Sequence, residues 1–288
     1  MENKINKLDI ITEISHKEGF LTRLLEKDYK ITTIIQDIAK SNIDNLIFKG
    51  GTCLNKCYLG FYRLSEDIDF LYNKDVSKLS NTQLKKEVNK LKNIMFEILK
   101  KLNFKINTEL GEGWKKITRN RRIINLEIIT EYKSEITNNL ENIKVDVSFR
   151  NKLYRTPQNK KIKHLFYNAF NKPILDTNIE IKCIDLKENI IEKYRALVTR
   201  KNIAIRDIYD IYFVFKNNKI KLDKKDKGLI ITKIKESIPN YTEKEFINFL
   251  YNLHKDVIDL QPINIVLRNE ENIDIKKMID IVVKNIKK

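Results

Sequence analysis

Leu46-Ile47-Phe48-Lys49-Gly50-Gly51-Thr52 and, after a short helical segment, Arg63-Leu64-Ser65-Glu66-Asp67-Ile68-Asp69-Phe70-Leu71 decide how this chain folds. An apolar run ends at two glycines followed by a hydroxyl residue. Glycine tolerates the backbone angles of a sharp turn and leaves its N–H groups exposed, which suits an anion. Thr52 is expected where a helix begins, as its cap and as a hydroxyl donor to that anion. Downstream, Asp67 and Asp69 alternate with Ile68 and Phe70. On a strand this puts both carboxylates on one face and both apolar side chains on the other. Two close carboxylates repel unless a cation holds them, and a hard divalent ion such as Mg2+ or Mn2+ takes oxygen ligands and shares its shell with phosphate.

Working outward, residues 5–40 carry Ile11, Ile14, Leu21, Leu24, Leu25, Ile31, Ile35 and Ile38 at helical spacing, which predicts two helices. Asn45 to Phe48 is a strand, Thr52 to Leu59 a short helix, and Tyr62 to Leu71 contains the second strand. An apolar stripe from Leu84 to Leu102 predicts an amphipathic helix over 82–103. Strand patterns follow at Phe104 to Thr108, Ile123 to Thr130 and Ile143 to Phe149, with a turn at Gly111-Glu112-Gly113 between the first two. Asp146 alternates with Val145 and Val147, and Glu127 with Leu126 and Ile128, so either is a candidate third carboxylate. Residues 151–178 read as a loop and Ile179 to Ile184 as a strand. Helices are then expected over 186–200, 205–216, 224–237, 243–255 and 274–286. The change of pattern near residue 185 divides the chain into a mixed core with N-terminal helices, 1–184, and a helical lobe, 185–288, with the active cleft expected between them.

The 288 residues are enough for a substantial core, and 42% hydrophobic with 33% charged residues describes a globular chain. No apolar run reaches the roughly 20 residues of a membrane span, and the N-terminus lacks a signal-peptide pattern. Three cysteines make no disulfide framework, which points to the cytoplasm. A formal charge of +17 has two readings. One is an RNA partner held through phosphates. The other is an AT-rich coding sequence, which favours Lys, Asn and Ile. The lysines are scattered, with local density at Lys115 to Arg122 and Lys160 to His164.

A glycine-rich phosphate loop, a helix and Asp-x-Asp on a strand form the layout of the polymerase-beta-like nucleotidyltransferases. Lys49-Gly50-Gly51-Thr52 followed by Arg63-x-Ser65-x-Asp67-Ile68-Asp69-Phe70 more narrowly resembles the AbiEii (AbiEii/AbiGii-type) toxins of abortive-infection and toxin–antitoxin systems. The resemblance implies an α+β fold with a mixed sheet and a C-terminal helical lobe. It favours Asp146 as the third acid, with Asp67, Asp69 and Asp146 as metal ligands and Lys49, Gly50, Gly51, Thr52 and Ser65 at the nucleotide. Glu192-Lys193-Tyr194-Arg195-Ala196-Leu197 and Arg206-Asp207-Ile208-Tyr209-Asp210 read alone as a solvated helical face with an intrahelical pair. The toxins carry E-K-x-R-A-L and then R-D-x-x-D in this order. By resemblance Lys193 contacts the triphosphate, Asp207 is a further essential acid, and Arg195, Arg206 and Asp210 bind phosphate or fix geometry. The implied activity is transfer of NMP from an NTP to RNA, the tRNA 3′ end above all, with an antitoxin as partner. A protein acceptor (NMPylation) or a non-catalytic nucleotide-binding regulator are the alternatives.

Other residues carry plainer readings. Cys53 and Cys57 lie one helical turn apart with Cys183 isolated, so core packing is expected. The three histidines stand apart from one another and take no role. Trp114 is expected as an anchor more than as a platform for a base, and Tyr209, Tyr212, Phe213 and Phe215 as core.

Overall fold

The computed structural model describes residues 7–107, 111–149, 152–217, 219–256, 267–268 and 273–287. The chain divides into two compact units, Met1–Ile184 and Asp185–Lys288.

In the first unit, α1 (Lys7–Glu18) and α2 (Thr22–Lys40) precede β1 (Leu46–Lys49). Ile31, Ile34, Ile35 and Ile38 lie on one face of α2 and are buried, as their 3–4 residue spacing requires. The chain enters α3 (Gly50–Cys53) directly from β1 and continues as a wider π-helical turn, Leu54–Leu59, which Gly60 ends at φ +79°. Strand β2 (Asp67–Tyr72) returns antiparallel to β1. Helix α4 (Asn81–Lys101) opens with a reciprocal cap: Gln83 N–H donates to Ser80 Oγ and Ser80 N–H to Gln83 Oε1. Such a cap contributes about 1 kcal/mol. Strands β3 (Lys105–Ile106), β4 (Trp114–Arg119), β5 (Arg122–Lys133), β6 (Leu140–Ser148), β7 (Gln158–Lys161) and β8 (Glu180–Cys183) complete an eight-stranded mixed sheet in the order β3-β5-β6-β2-β1-β8-β7, with β4 also on β5. Strand β2 runs parallel to β6, and β1 parallel to β8.

The core lies where one face of this sheet meets α2 and α4. Phe48, Ile68, Phe70, Leu126, Ile128, Val145 and Val147 are buried there with Leu84, Val88 and Leu99. A buried ion pair adds to it. Lys56 Nζ lies 2.8 Å from the Asp28 carboxylate and donates to Thr32 Oγ1 at 2.8 Å, joining the π-helical turn to α2. Removing one partner of such a pair costs about 3–5 kcal/mol.

Two strands were not expected from the sequence. Strand β4 falls in a stretch left between strands, and β7 within the stretch read as loop. Both have mostly exposed side chains (Lys115, Thr118 and Arg119; Gln158, Asn159 and Lys161), so neither shows apolar alternation. Charged, exposed residues are what sheet edges carry to discourage further pairing. The expected end of a strand at Thr108 lies outside the described residues.

The second unit holds α5 (Leu186–Thr199), α6 (Ile205–Lys216), α7 (Lys224–Lys235), α8 (Glu243–Asp256) and α9 (Ile275–Lys287). Asp185 caps α5 by accepting from Lys187 and Glu188 N–H. Tyr194, fully buried, donates its hydroxyl to the Val282 carbonyl at 2.9 Å. Of the aromatic run, Tyr209 and Phe215 are core, while Tyr212 and Phe213 are half-exposed. No helix among the described residues is long and apolar enough to cross a membrane.

Candidate active site

The site grows out of strand register. Lys49 on β1 lies opposite Asp69 on β2, Asp69 opposite Asp146 on β6, Asp146 opposite Glu127 on β5, and Glu127 opposite Lys115 on β4. Because side chains alternate, these five residues form one charged row across the face opposite Phe48, Ile68, Phe70, Val145 and Val147. The row is capped at one end, where Lys115 Nζ lies 2.6 Å from Glu127 Oε1. Both candidates for the third acid are therefore in line, but only Asp146 adjoins Asp69.

Asp67, Asp69 and Asp146 are all half-buried. The Asp146 carboxyl titrates above the ordinary carboxylate range. Burial is the main cause and the charge of Asp69 the second, opposed by Lys49, a hydrogen bond from Asn125 and Lys144. Asn125 Nδ2 donates to Asp146 Oδ1 at 2.7 Å. Asn125 Oδ1 and its cross-strand neighbour Ser148 Oγ are buried with no hydrogen-bond partner among the described residues.

The glycine pair is explained by what it faces. Gly50 has φ +78°, and a Cβ there would overlap the Asp69 carboxylate. A Cβ on Gly51 would sit 2.5 Å from an Arg63 guanidinium nitrogen and 3.1 Å from Ser65 Oγ. Arg63 is itself buried and donates to the Leu64 carbonyl at 2.7 Å. So Lys49, Gly50, Gly51, Ser65 and Asp69 are brought together. Arg63 and Asn125 join them. The sequence signal for Asn125 was an amide inside an apolar strand, where amides are scarce.

Thr52 is placed differently from expectation. Helix α3 starts at Gly50, with Lys49 at the cap position and no side-chain cap. Thr52 is fully buried within the first turn, and its hydroxyl donates to the Asp67 carbonyl. It fixes the glycine turn against the start of β2 instead of pointing at an anion.

In the second unit, Lys193 Nζ lies 2.7 Å from Asp207 Oδ1 and 2.8 Å from Asp210 Oδ2, all three buried, and Arg200 also pairs with Asp207. This is no solvated face. Arg195 donates to Glu192 at 2.8 Å, and Glu192 and Glu188 hold buried Lys233 at 2.7 and 2.9 Å. Burial alone would lower the Lys233 pKa, but the two carboxylates outweigh it and raise it. Trp114 is buried as an anchor, with the Lys92 and Lys116 ammoniums 4.3 and 5.2 Å from its ring. A cavity of about 410 Å³ near Asn42–Leu46 and Glu180–Lys182 is lined by none of the candidate site residues.

The acids offer only oxygen, which suits a hard divalent ion, and such an ion would favour the charged form of Asp146, which burial first and the charge of Asp69 second disfavour. As they stand, Asp67, Asp69 and Asp146 do not bring one ligand atom each within 4.8 Å of one another. Among the described residues the one group of three that does is Cys53, Cys57 and Cys183. Cys183 is thus not isolated. Strand β8 pairs with β1, Phe48 opposite Cys183, and delivers it to the other two.

A family model described as nucleotidyl transferase AbiEii toxin, type IV toxin–antitoxin system, matches residues 36–270. Two solved structures from Helicobacter pylori share the fold. The protein JHP933 is 14% identical with a TM-score of 0.55, over 93% of this chain and 92% of that one. A candidate nucleotidyltransferase is 15% identical with a TM-score of 0.52, over 91% and 92%. No curated protein sequence matches this chain.

Proposed function

Since this chain belongs to the AbiEii nucleotidyltransferase toxin family, we propose that it transfers NMP from an NTP to RNA, the 3′ end of tRNA being the acceptor, as the toxin of a cytoplasmic toxin–antitoxin or abortive-infection pair. The observation that carries this reading is Asp69 in register with Asp146 and against Gly50, whose missing Cβ leaves room for the carboxylate. The backbone N–H groups at Gly50 and Gly51 receive the phosphates, and Lys49 neutralises charge at the end of β1. Asp67, Asp69 and Asp146 would hold Mg2+ or Mn2+, which supplies charge neutralisation on the phosphates and a lower pKa for the attacking hydroxyl.

Asp146 is suited to take the proton. Asn125 Nδ2 holds one of its oxygens by a hydrogen bond, fixing the orientation of the carboxylate. The acceptor hydroxyl oxygen forms a bond to the α-phosphorus, the bond to the β-phosphate oxygen breaks, and pyrophosphate leaves with both electrons of that bond. Such transfer relies mostly on positioning and electrostatics, which a rigid strand row provides. Asn125 Oδ1 and Ser148 Oγ suit a sugar hydroxyl or an ordered water. Lys193 is the cation of α5 that the resemblance assigns to the triphosphate. Its contacts with Asp207 and Asp210 give it a second task, joining α5 to α6.

The test is incubation of the purified chain with Mg2+, each α-labelled NTP in turn, and total bacterial RNA. Label is expected in the tRNA band and absent with Asp67→Ala. Label on protein instead would replace the RNA acceptor with NMPylation. No label from any NTP would refute the transfer.

A further inference from the structure

Three thiols outside the acidic row meet just past the glycine pair. Cys53 ends α3, Cys57 follows one turn on, and Cys183 ends β8. Their Sγ atoms all lie within 4.8 Å of one another, at 0%, 6% and 0% exposure. Three sulfurs bound to one ion at about 2.3 Å sit about 4 Å apart, and the three Sγ atoms, all within 4.8 Å of one another, are close to that arrangement. The cysteines come from α3, the π-helical turn that continues it and β8, brought together by the parallel β1–β8 pairing, not from one flexible loop. Among the described residues no His, Asp, Glu or further Cys joins the group.

That composition selects the ion. A structural zinc site wants four ligands, whereas monovalent copper is soft, prefers thiolates and is satisfied by three. Three thiolates around a single positive charge leave a net negative site in a buried place. Lys56 and Lys163 act on Cys57, and Lys160 acts on Cys183, offsetting that charge.

We propose that Cys53, Cys57 and Cys183 form a three-thiolate site for one soft monovalent ion of the Cu+ class. Loading it ties the helix that leads out of Gly50-Gly51 to β8, and so braces the glycine turn. The proposal is independent of the transfer activity.

The reduced full-length chain is titrated without oxygen with Cu+ held by bicinchoninate, a coloured competing chelator. Wild type is expected to withdraw one Cu+ per chain and to melt at a higher temperature when loaded. Cys183→Ser, checked for folding by circular dichroism, is expected to bind at least about tenfold more weakly and to show no thermal gain. If that variant does not fold, Cys57→Ala at the slightly open rim carries the same test. Failure of wild type to withdraw Cu+, equal withdrawal by the variants, or preference for Zn2+ over Cu+ would each overturn the three-thiolate site.

Discussion

Asp146→Asn separates stability from activity most sharply. The Asp146 carboxyl is held above the ordinary range by burial and by Asp69 on the adjacent strand. Neighbouring strands lie about 4.8 Å apart, and two unit charges at that distance interact by about 1–3 kcal/mol for effective dielectric constants of 80 to 20. Lys49, Lys144 and the Asn125 hydrogen bond offset part of this, but burial first and Asp69 second outweigh them, so the ionised form carries a net penalty. The sign follows from proton binding. Above the ordinary carboxylate range, and up to the raised value of Asp146, the folded chain holds a proton that the unfolded chain has lost. Stability therefore falls as pH rises through that window, and the penalty is fully present above it. Asparagine keeps the shape, can turn its carbonyl oxygen to Asn125 Nδ2, and carries no charge. In metal-free buffer at pH 7.5 the variant should melt about 2–4 °C above wild type, a gain that vanishes near pH 3.5. Adding Mg2+ should raise the wild-type midpoint and leave the variant nearly unmoved. Differential scanning calorimetry against pH checks this. A variant that melts below wild type at pH 7.5, or a gain independent of pH, would refute the assignment of strain to that carboxylate.

Other outcomes follow from the same geometry. Gly50→Ala meets both a positive φ and the Asp69 carboxylate, so a loss of about 2 kcal/mol or more in urea unfolding is expected, together with loss of transfer. Asn125→Ala removes a bond to the charged form of Asp146, and the acid limb of the pH–rate profile should move to higher pH; a limb that stays in place would remove Asp146 as the base. Lys193→Met leaves Asp207 and Asp210 buried without their shared cation, which costs about 3–5 kcal/mol, and adding Asp210→Asn should recover part of that by thermal melting.

What was legible in the sequence was mostly local. Asp67-Ile68-Asp69-Phe70 announces its strand and its two faces because alternation is a property of the backbone itself. The placing of Asp146 beside Asp69 needed the parallel pairing of β2 with β6, which alternation alone does not encode. The family resemblance supplied it where spacing left Glu127 open. Nonlocal pairing also explains Cys183: nothing near it in sequence hints at Cys53 and Cys57, and only β8 lying along β1 brings them together. Strands β4 and β7 lacked signal because each lies at a sheet edge with mostly exposed side chains, so no apolar alternation marks a buried face. Thr52 shows a different limit. A hydroxyl after two glycines is equally compatible with an anion contact and with an inward bond to the chain, and burial decided for the Asp67 carbonyl. The lysine motif of α5 looked like surface from its composition, since charge is normally solvated, yet Lys193, Asp207 and Asp210 are buried by mutual pairing.

Whether the carboxylates of β2 and β6 carry nucleotidyl transfer to RNA is decided by measuring pyrophosphate released per nucleotide incorporated into purified tRNA, for wild type and for Asp69→Asn with its fold verified. One pyrophosphate per nucleotide added for wild type, and neither product from the variant, is the expected result. Undiminished release and incorporation by Asp69→Asn would rule these carboxylates out as the carriers of the transfer.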